Sequence, residues 1–582
     1  MEWKKTAARL QRVLVAPLSE ELPFYVLFLL AISVMPIRFI PSHIHALYWE
    51  RLFNFFFTDF PRAGAISYLF TLVVYYSRSR HLKVLGYIAA SVLFTVCLFL
   101  HLVFHKTLQP DIITLVAETN TRESTEFLFS FLFSKGGGLT LLLLAIYLFL
   151  IVFLEKRRKL ITDTLKRLRH LVFIGVMVLL FILDGFVQFR FYHAFLTVRT
   201  VDDMPEDYGC YDSVTTLFYS LYSVRLVEQE MQRAVKVTCE VKQTAMPSES
   251  DSLNVVYVIG ESYIKCHSQL YGYYLPTTPY LAQEKEKGNL FVFDHVVSPF
   301  NQTSLTMKNT FCCNSLRNGE KWSDYPYFPA IFKKAGFQVY FWDIQKDDGM
   351  QALFEFSLNS FVYNKDLMRE AYTQVSKNSF RYDDQAVQDF RREAKGMGKY
   401  NLVMFHLMGQ HVLAGSRYPH NKQFDTFSFR DIKCNKPYLN DQKKQMIAEY
   451  DNATRYNDYV VKHIIDLFRD KNTVILYFSD HGEEIYDYRD SYGRVDFDTK
   501  TAKIGYRYQY EVPFMIWCSD KYQQRYPRIV DDVKKALHRP FRTDEICQVL
   551  FHIAQLHTSY YRAKYDVLSA DYEPLRTESI QE

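Results

Sequence analysis

The sequence predicts two unlike parts: an N-terminal five-helix transmembrane domain over residues 1–192, and a C-terminal α/β domain over 251–582 with a mostly parallel sheet sandwiched by helices. Three observations predict this. Apolar runs separated by basic clusters fill the chain up to Tyr192. After Asp251, short β-rich runs alternate with amphipathic stretches. Those runs lack in-and-out alternation, which suits strands buried on both faces of a parallel sheet. At 582 residues, more than one folding unit is expected.

Five segments approach the roughly 20 apolar residues that a bilayer requires. They lie at about 22–41, 60–77, 82–104, 138–154 and 171–189, the second being the least apolar. Lys4, Lys5, Arg9 and Arg12 precede the first, Arg78, Arg80 and Lys83 fall between the second and third, and "EKRRKLITDTLKRLR" lies between the fourth and fifth. The alternate loops carry only scattered basic residues. By the positive-inside rule the N-terminus is cytoplasmic, and an odd number of spans puts everything after Tyr192 outside. The first span lacks a small-residue cleavage pattern and reads as an anchor.

Residues 193–250 form a connector. Its segment "SVTTLFYSLYSVRLVEQEMQRAVKV" is amphipathic at helical spacing, which suits either a membrane surface or packing on the outer domain. "QTAMPSESDS" then reads as a flexible linker. Beyond it come the strand candidates "NVVYVIG", "FVFDHVVS", "FQVYFWD", "YNLVMFHLMG", "TVILYFSDHG" and "VPFMIWCS", with helical periodicity between them. Eight of the nine cysteines fall in the outer part, an even number that permits disulfides in an oxidising compartment, and no CxxC pair suggests a Cys-rich zinc site. A net charge of +5 with no basic run interleaved with aromatics beyond the membrane loops points away from nucleic acid.

Ligands of such sheets bind beyond the carboxyl ends of the strands. There the sequence places Glu261, His406 and His411, and Asp480 with His481. Two carboxylates and an imidazole from different strands suit zinc with one position open. A nucleophile with a metal-depressed pKa would fill that position, and "SPFNQTSLTMKNTF" offers Thr303, Ser304 and Thr306.

The ordered set "VIGES", "LYGYYLPTTPYL", "VVSPFNQTSLTMKNTF", "FHLMGQH" with "RYP", "YDNA", "FSDHGEE" and "YEVPFMIW" resembles the bacterial phosphoethanolamine transferases that decorate lipopolysaccharide, members of the alkaline phosphatase and sulfatase superfamily. The resemblance covers nearly the whole chain, including the five spans. It implies a multi-pass protein of the bacterial inner membrane with a periplasmic catalytic domain, here expected as a monomer. It implies Glu261, Asp480 and His481 as zinc ligands and Thr303, eight residues before Phe311, as both zinc ligand and nucleophile. It implies His411 beside the substrate phosphate as a proton donor, and His406 packed behind the sheet. "AETNTRES" resembles a periplasmic segment that helps bind the lipid donor, making Thr119 and Glu123 substrate-binding candidates. One departure stands out: no His occurs from Gly482 to Leu537, where some members have one, and Arg494 lies in that stretch. A guanidinium holds phosphate but does not ligate zinc.

The implied reaction moves phosphoethanolamine from phosphatidylethanolamine onto Thr303, releases diacylglycerol, and passes the group to a lipopolysaccharide core or lipid A acceptor, with zinc expected ahead of manganese. Three other readings fit less of the sequence. A sulfatase would need a formylglycine motif, and "CNSLR" has Ser where Pro or Ala is expected. A phosphoglycerol transferase of the lipoteichoic acid synthase type disagrees with "LYGY", "SPFNQT" and "FHLMGQH". An inert membrane scaffold would have lost a ligand type. The stretches 417–440 and 486–510 are where acceptor selectivity is expected.

Overall fold

The structure is a computed structural model, and it describes residues 13, 16–34, 60–104, 134–160, 213–242, 252–345, 361–394, 396–411, 413–494 and 501–575. It divides into two compact units at Gln229/Glu230.

In the first unit the described helices are α1 (Leu22–Ile32), α2 (Phe60–Ser77), α3 (Arg80–Phe99, continued by a π turn to Phe104) and α4 (Lys135–Lys156). Ser79 and Ser134 cap α3 and α4 by accepting from Leu82 N and Gly137 N, satisfying helix-end donors. Arg80–Val103 and Lys135–Lys156 are long and apolar enough to cross a membrane. Helices α2, α3 and α4 coincide with three of the five apolar segments, and α1 with 11 residues of the first. The span at 171–189 lies outside the described residues, so the count of five is not established. The helices pack through Tyr147, whose hydroxyl donates to Leu27 O at 2.9 Å, and through Lys83, which sits 2.7 Å from both Glu21 and Glu155. The connector holds helix α5 (Ser213–Cys239).

The second unit is built on seven strands: β1 (Leu253–Gly260), β2 (Leu290–Val292), β3 (Gln338–Asp343), β4 (Gln374–Val375), β5 (Tyr400–His406), β6 (Thr473–Ser479) and β7 (Phe514–Cys518). Their order across the sheet is β2-β7-β6-β1-β5-β3-β4. Strands β6, β1, β5, β3 and β4 are mutually parallel, whereas β7 runs antiparallel to both β6 and β2. All eight residues of β1 are buried, as are all seven of β6, which explains their uninterrupted apolar sequence. Helices α6 (Thr303–Phe311), α7 (Asp383–Glu393) and α8 (Asp441–Phe468) belong to the covering layers, α8 beginning at Asn440, whose side chain accepts from Lys443 N at 2.9 Å. The register pairs Ile259 with both His406 and Phe478, and Gly260 with Ser479. Strands β1, β5 and β6 therefore end level, and the residues that follow them meet at one place.

Candidate metal centre

Glu261 is the first residue past β1 and Asp480 the first past β6, and parallel neighbours in register bring their side chains together. Asp480 N donates to Gly260 O, and Asp480 Oδ1 accepts from Ser262 N at 3.1 Å, which stitches the two strand ends. Ser262 adopts φ +54°, a left-handed conformation held by that bond and by its Oγ donating to Glu261 Oε1 at 2.8 Å.

His481 completes a fully buried cluster whose donor atoms all lie within 4.8 Å of one another. Its Nε2 stands 3.3 Å from Glu261 Oε1 and 3.2 Å from Asp480 Oδ2. Its Nδ1 donates to Gly482 O at 2.7 Å, which assigns the tautomer and leaves the Nε2 lone pair facing the carboxylates. Thr303, at the start of α6, brings its Oγ1 to 3.2 Å from Glu261 Oε2 and 3.2 Å from His481 Nε2.

These four residues fit a tetrahedral zinc ion. Ligand atoms about 2 Å from such an ion stand about 3.3 Å apart, the spacing seen from Thr303 to Glu261 and His481 and from His481 to Glu261 and Asp480. Asp480 Oδ2 is buried without a hydrogen-bond partner, an orphan acceptor of the kind a cation satisfies. Electrostatics agree. Burial alone would raise Glu261, but His481, His411 and Arg494 hold its carboxyl well below the usual range. Burial, and then the negative charge of Glu261, push Asp480 up to about 7.

The other expected residues fall as follows. His406 is buried and bonded through Nδ1 to Asp343 Oδ1 at 2.9 Å. His411 lies in the loop after β5 with its Nδ1 buried and without a hydrogen-bond partner. Burial, then Arg417, Arg494 and His481, push its pKa down to about 3 against the pull of Glu261, so the ring is neutral. Arg494 Nη1 reaches His481 Nε2 at 2.8 Å and Asn301 O at 3.4 Å, bringing the guanidinium to the cluster. Thr119 and Glu123 lie outside the described residues.

Three supports have no local sequence signal. Gln345, past β3, donates to Glu261 Oε2 at 3.3 Å and to Leu407 O at 2.9 Å. Asp383 accepts from Met408 N and Gly409 N, fixing the loop beneath Glu261. There Gly409, at φ +50°, leaves no space for a side chain, since a Cβ would stand 2.7 Å from Glu261 O. The quoted motif "YDNA" is structural: its Asp451 binds His267 Nδ1 at 2.7 Å and Tyr273 Oη at 2.8 Å, while its Asn452 accepts from Thr426 N and Phe427 N.

Residues 253–541 match the family described as Sulfatase. The chain carries a sulfatase domain. It is homologous to phosphoethanolamine transferases: it is 30% identical over 332 residues to phosphoethanolamine transferase EptC of Escherichia coli (strain K12), which covers 56% of this chain and 55% of the relative. It is 29% identical over 286 residues to Kdo(2)-lipid A phosphoethanolamine 7''-transferase of the same strain, with 47% and 46% covered. The chain thus spans about half the length of the curated relatives it matches. The crystal structure of the periplasmic domain of E. coli EptC superimposes with a TM-score of 0.50 at 27% identity, covering 58% of this chain and 92% of that one. The integral membrane protein lipooligosaccharide phosphoethanolamine transferase A of Neisseria meningitidis matches over 97% of this chain and 98% of its own with a TM-score of 0.57; at 15% identity that likeness is one of fold.

Proposed function

We propose that this protein is a membrane-anchored phosphoethanolamine transferase that takes the group from phosphatidylethanolamine and delivers it to a lipopolysaccharide core or lipid A acceptor. The observation that carries the reading is the position of Thr303 Oγ1, 3.2 Å from Glu261 Oε2 and 3.2 Å from His481 Nε2 at the start of helix α6. A hydroxyl in ordinary helix-capping service has no reason to sit among two buried carboxylates and an imidazole.

Glu261, Thr303, Asp480 and His481 would hold zinc, whose Lewis acidity favours the alkoxide form of Thr303 at neutral pH. Thr303 Oγ1 attacks the phosphorus of phosphatidylethanolamine, forming an O–P bond as the bond to the glycerol oxygen breaks. Diacylglycerol leaves with a proton, and we assign His411 the role of donating it. Its depressed pKa reflects burial first and then the cations around it, and an incoming phosphate adds the negative charge that draws the proton back. The first turn of α6 presents backbone N–H groups and the positive end of the helix dipole to the phosphate oxygens. Arg494 adds a guanidinium beside them. An acceptor hydroxyl or phosphate then attacks the phosphorylated Thr303 and restores it.

Membrane placement follows from the chemistry, because donor and acceptor are lipids. The proposed topology is multi-pass in a bacterial inner membrane, N-terminus cytoplasmic, spans at about 22–41, 60–77, 82–104, 138–154 and 171–189, connector 193–250, and the domain 251–582 periplasmic. Thr119 and Glu123 are proposed donor-binding residues.

The test is release of diacylglycerol from fluorescent phosphatidylethanolamine by the purified full-length protein with zinc. Wild type should release it and Thr303→Ala should not. Equal release by both would end the assignment of Thr303, and release from phosphatidylglycerol with manganese but not from phosphatidylethanolamine with zinc would change the donor.

A further inference from the structure

Glu483 follows the cluster by two residues and has no role in the reading above. It is buried, and its oxygens make no well-formed hydrogen bond beyond a weak interaction with the Ser262 side chain. A buried carboxylate so poorly bonded is costly, so it calls for a cationic partner. Among the described residues the cation paired with it is Arg494, whose Nε is 3.9 Å from Glu483 Oε2. Both residues lie on one small hairpin, the pairing of Glu484 and Ile485 with Gly493 and Tyr492, which holds them at a set separation.

Besides Asn301 O, Arg494 has two competing acceptors, His481 Nε2 and Glu483. Its Nη1 donates to His481 Nε2 at 2.8 Å, the lone pair that a metal ligated by His481 must use. One lone pair serves one cation, so a guanidinium displaced from Nε2 has the two oxygens of Glu483 within a small side-chain rotation. A planar guanidinium anchored by one edge keeps its other edge for a second bidentate partner, and phosphate oxygens fit that geometry.

We propose that Glu483 is the positioning residue of Arg494, and that this pair binds the nonbridging oxygens of the substrate phosphate beside Thr303, so that a guanidinium serves in place of a second metal ion. The inference rests on the proposed phosphoryl transfer at Thr303. It also sets the metal content: a place taken by an arginine cannot be a second zinc site, and the chain binds one zinc.

The experiment uses zinc-loaded full-length protein in detergent. Zinc per chain is measured by plasma mass spectrometry, and inorganic phosphate binding by calorimetry. The expected results are one zinc per chain in wild type, Glu483→Gln and Arg494→Ala, with phosphate binding at least 10-fold weaker in each variant. The double variant should bind phosphate no more weakly than Arg494→Ala, because Glu483 acts only through the guanidinium. Glu483→Asp, which keeps the charge on a shorter arm, should fall between wild type and Glu483→Gln, and it carries the test if the Gln variant does not fold. Two zinc ions in wild type, loss of zinc in Glu483→Gln, or additive losses in the double variant would each overturn the proposal. Unchanged phosphate binding in both single variants, alongside a wild-type adduct on Thr303, defeats this inference alone. Coupled loss of phosphate binding without any adduct defeats the donor assignment and leaves the pair standing.

Discussion

Replacing Gly482 by Ala tests how tightly the fold holds the proposed metal ligands. A Cβ at Gly482 would stand 2.0 Å from Tyr508 O, against an ordinary carbon–oxygen contact of about 3.4 Å, so the two segments must part by roughly 1.4 Å. The opposing atom is backbone and cannot rotate away. Gly482 N donates to Gln509 O at 2.8 Å, and that parting breaks the bond, leaving buried polar groups unpaired at a cost of about 1–3 kcal/mol. Gly482 O is also the acceptor that orients His481 through Nδ1. Loss of such an orienting bond weakens metal binding by about 10–100-fold. Gly482→Ala should therefore bind zinc about 10–100-fold more weakly in chelator competition and melt at lower temperature. A variant with wild-type zinc affinity would refute the idea that this carbonyl sets the ligand geometry.

Other predictions follow from the same structure. Burial alone would lower the pKa of His267, but Asp487 at 2.9 Å and Asp451 at 2.7 Å raise it well above the ordinary value of 6.5. The charged ring thus contributes stability that is fully present below the unfolded-state pKa, persists through neutrality and is lost as pH rises through the folded value. Chemical denaturation across pH 6 to 10 should show that alkaline decline in wild type. His267→Gln should lack it and be about 3–5 kcal/mol less stable at neutral pH, since two carboxylates lose their buried partner; an unchanged alkaline limb would count against the triad. Asn452 accepts from Thr426 N and Phe427 N and donates to Phe427 O at 2.9 Å, so Asn452→Ala should make the 417–440 loop susceptible to protease and cost about 2–4 kcal/mol. Limited proteolysis with an unaltered pattern would show that the loop is held elsewhere.

The site was legible in the sequence where function and strand order coincide. Glu261, Asp480 and His481 could be read because apolar strands announce their own ends, and the topology of parallel sheets puts those ends together. Thr303 needed the resemblance, since Ser304 and Thr306 share its loop. Glu483 gives no sequence signal of its own, because only its burial, a tertiary property, sets it apart from an ordinary surface acid. Gln345 and Asp383 could not be found, for each acts on an element at least 25 residues away in sequence through side-chain bonds that no local pattern encodes. The antiparallel course of β7 was likewise hidden, because a buried antiparallel strand has the same apolar composition as a parallel one.

The most direct measurement is the intact mass of zinc-loaded full-length protein after incubation with phosphatidylethanolamine, beside Thr303→Ala. One added phosphoethanolamine is expected on the wild-type chain, located on the peptide containing Thr303, and none on the variant. An adduct of the same mass on both proteins, or none on a folded wild type with zinc bound, would contradict this expectation.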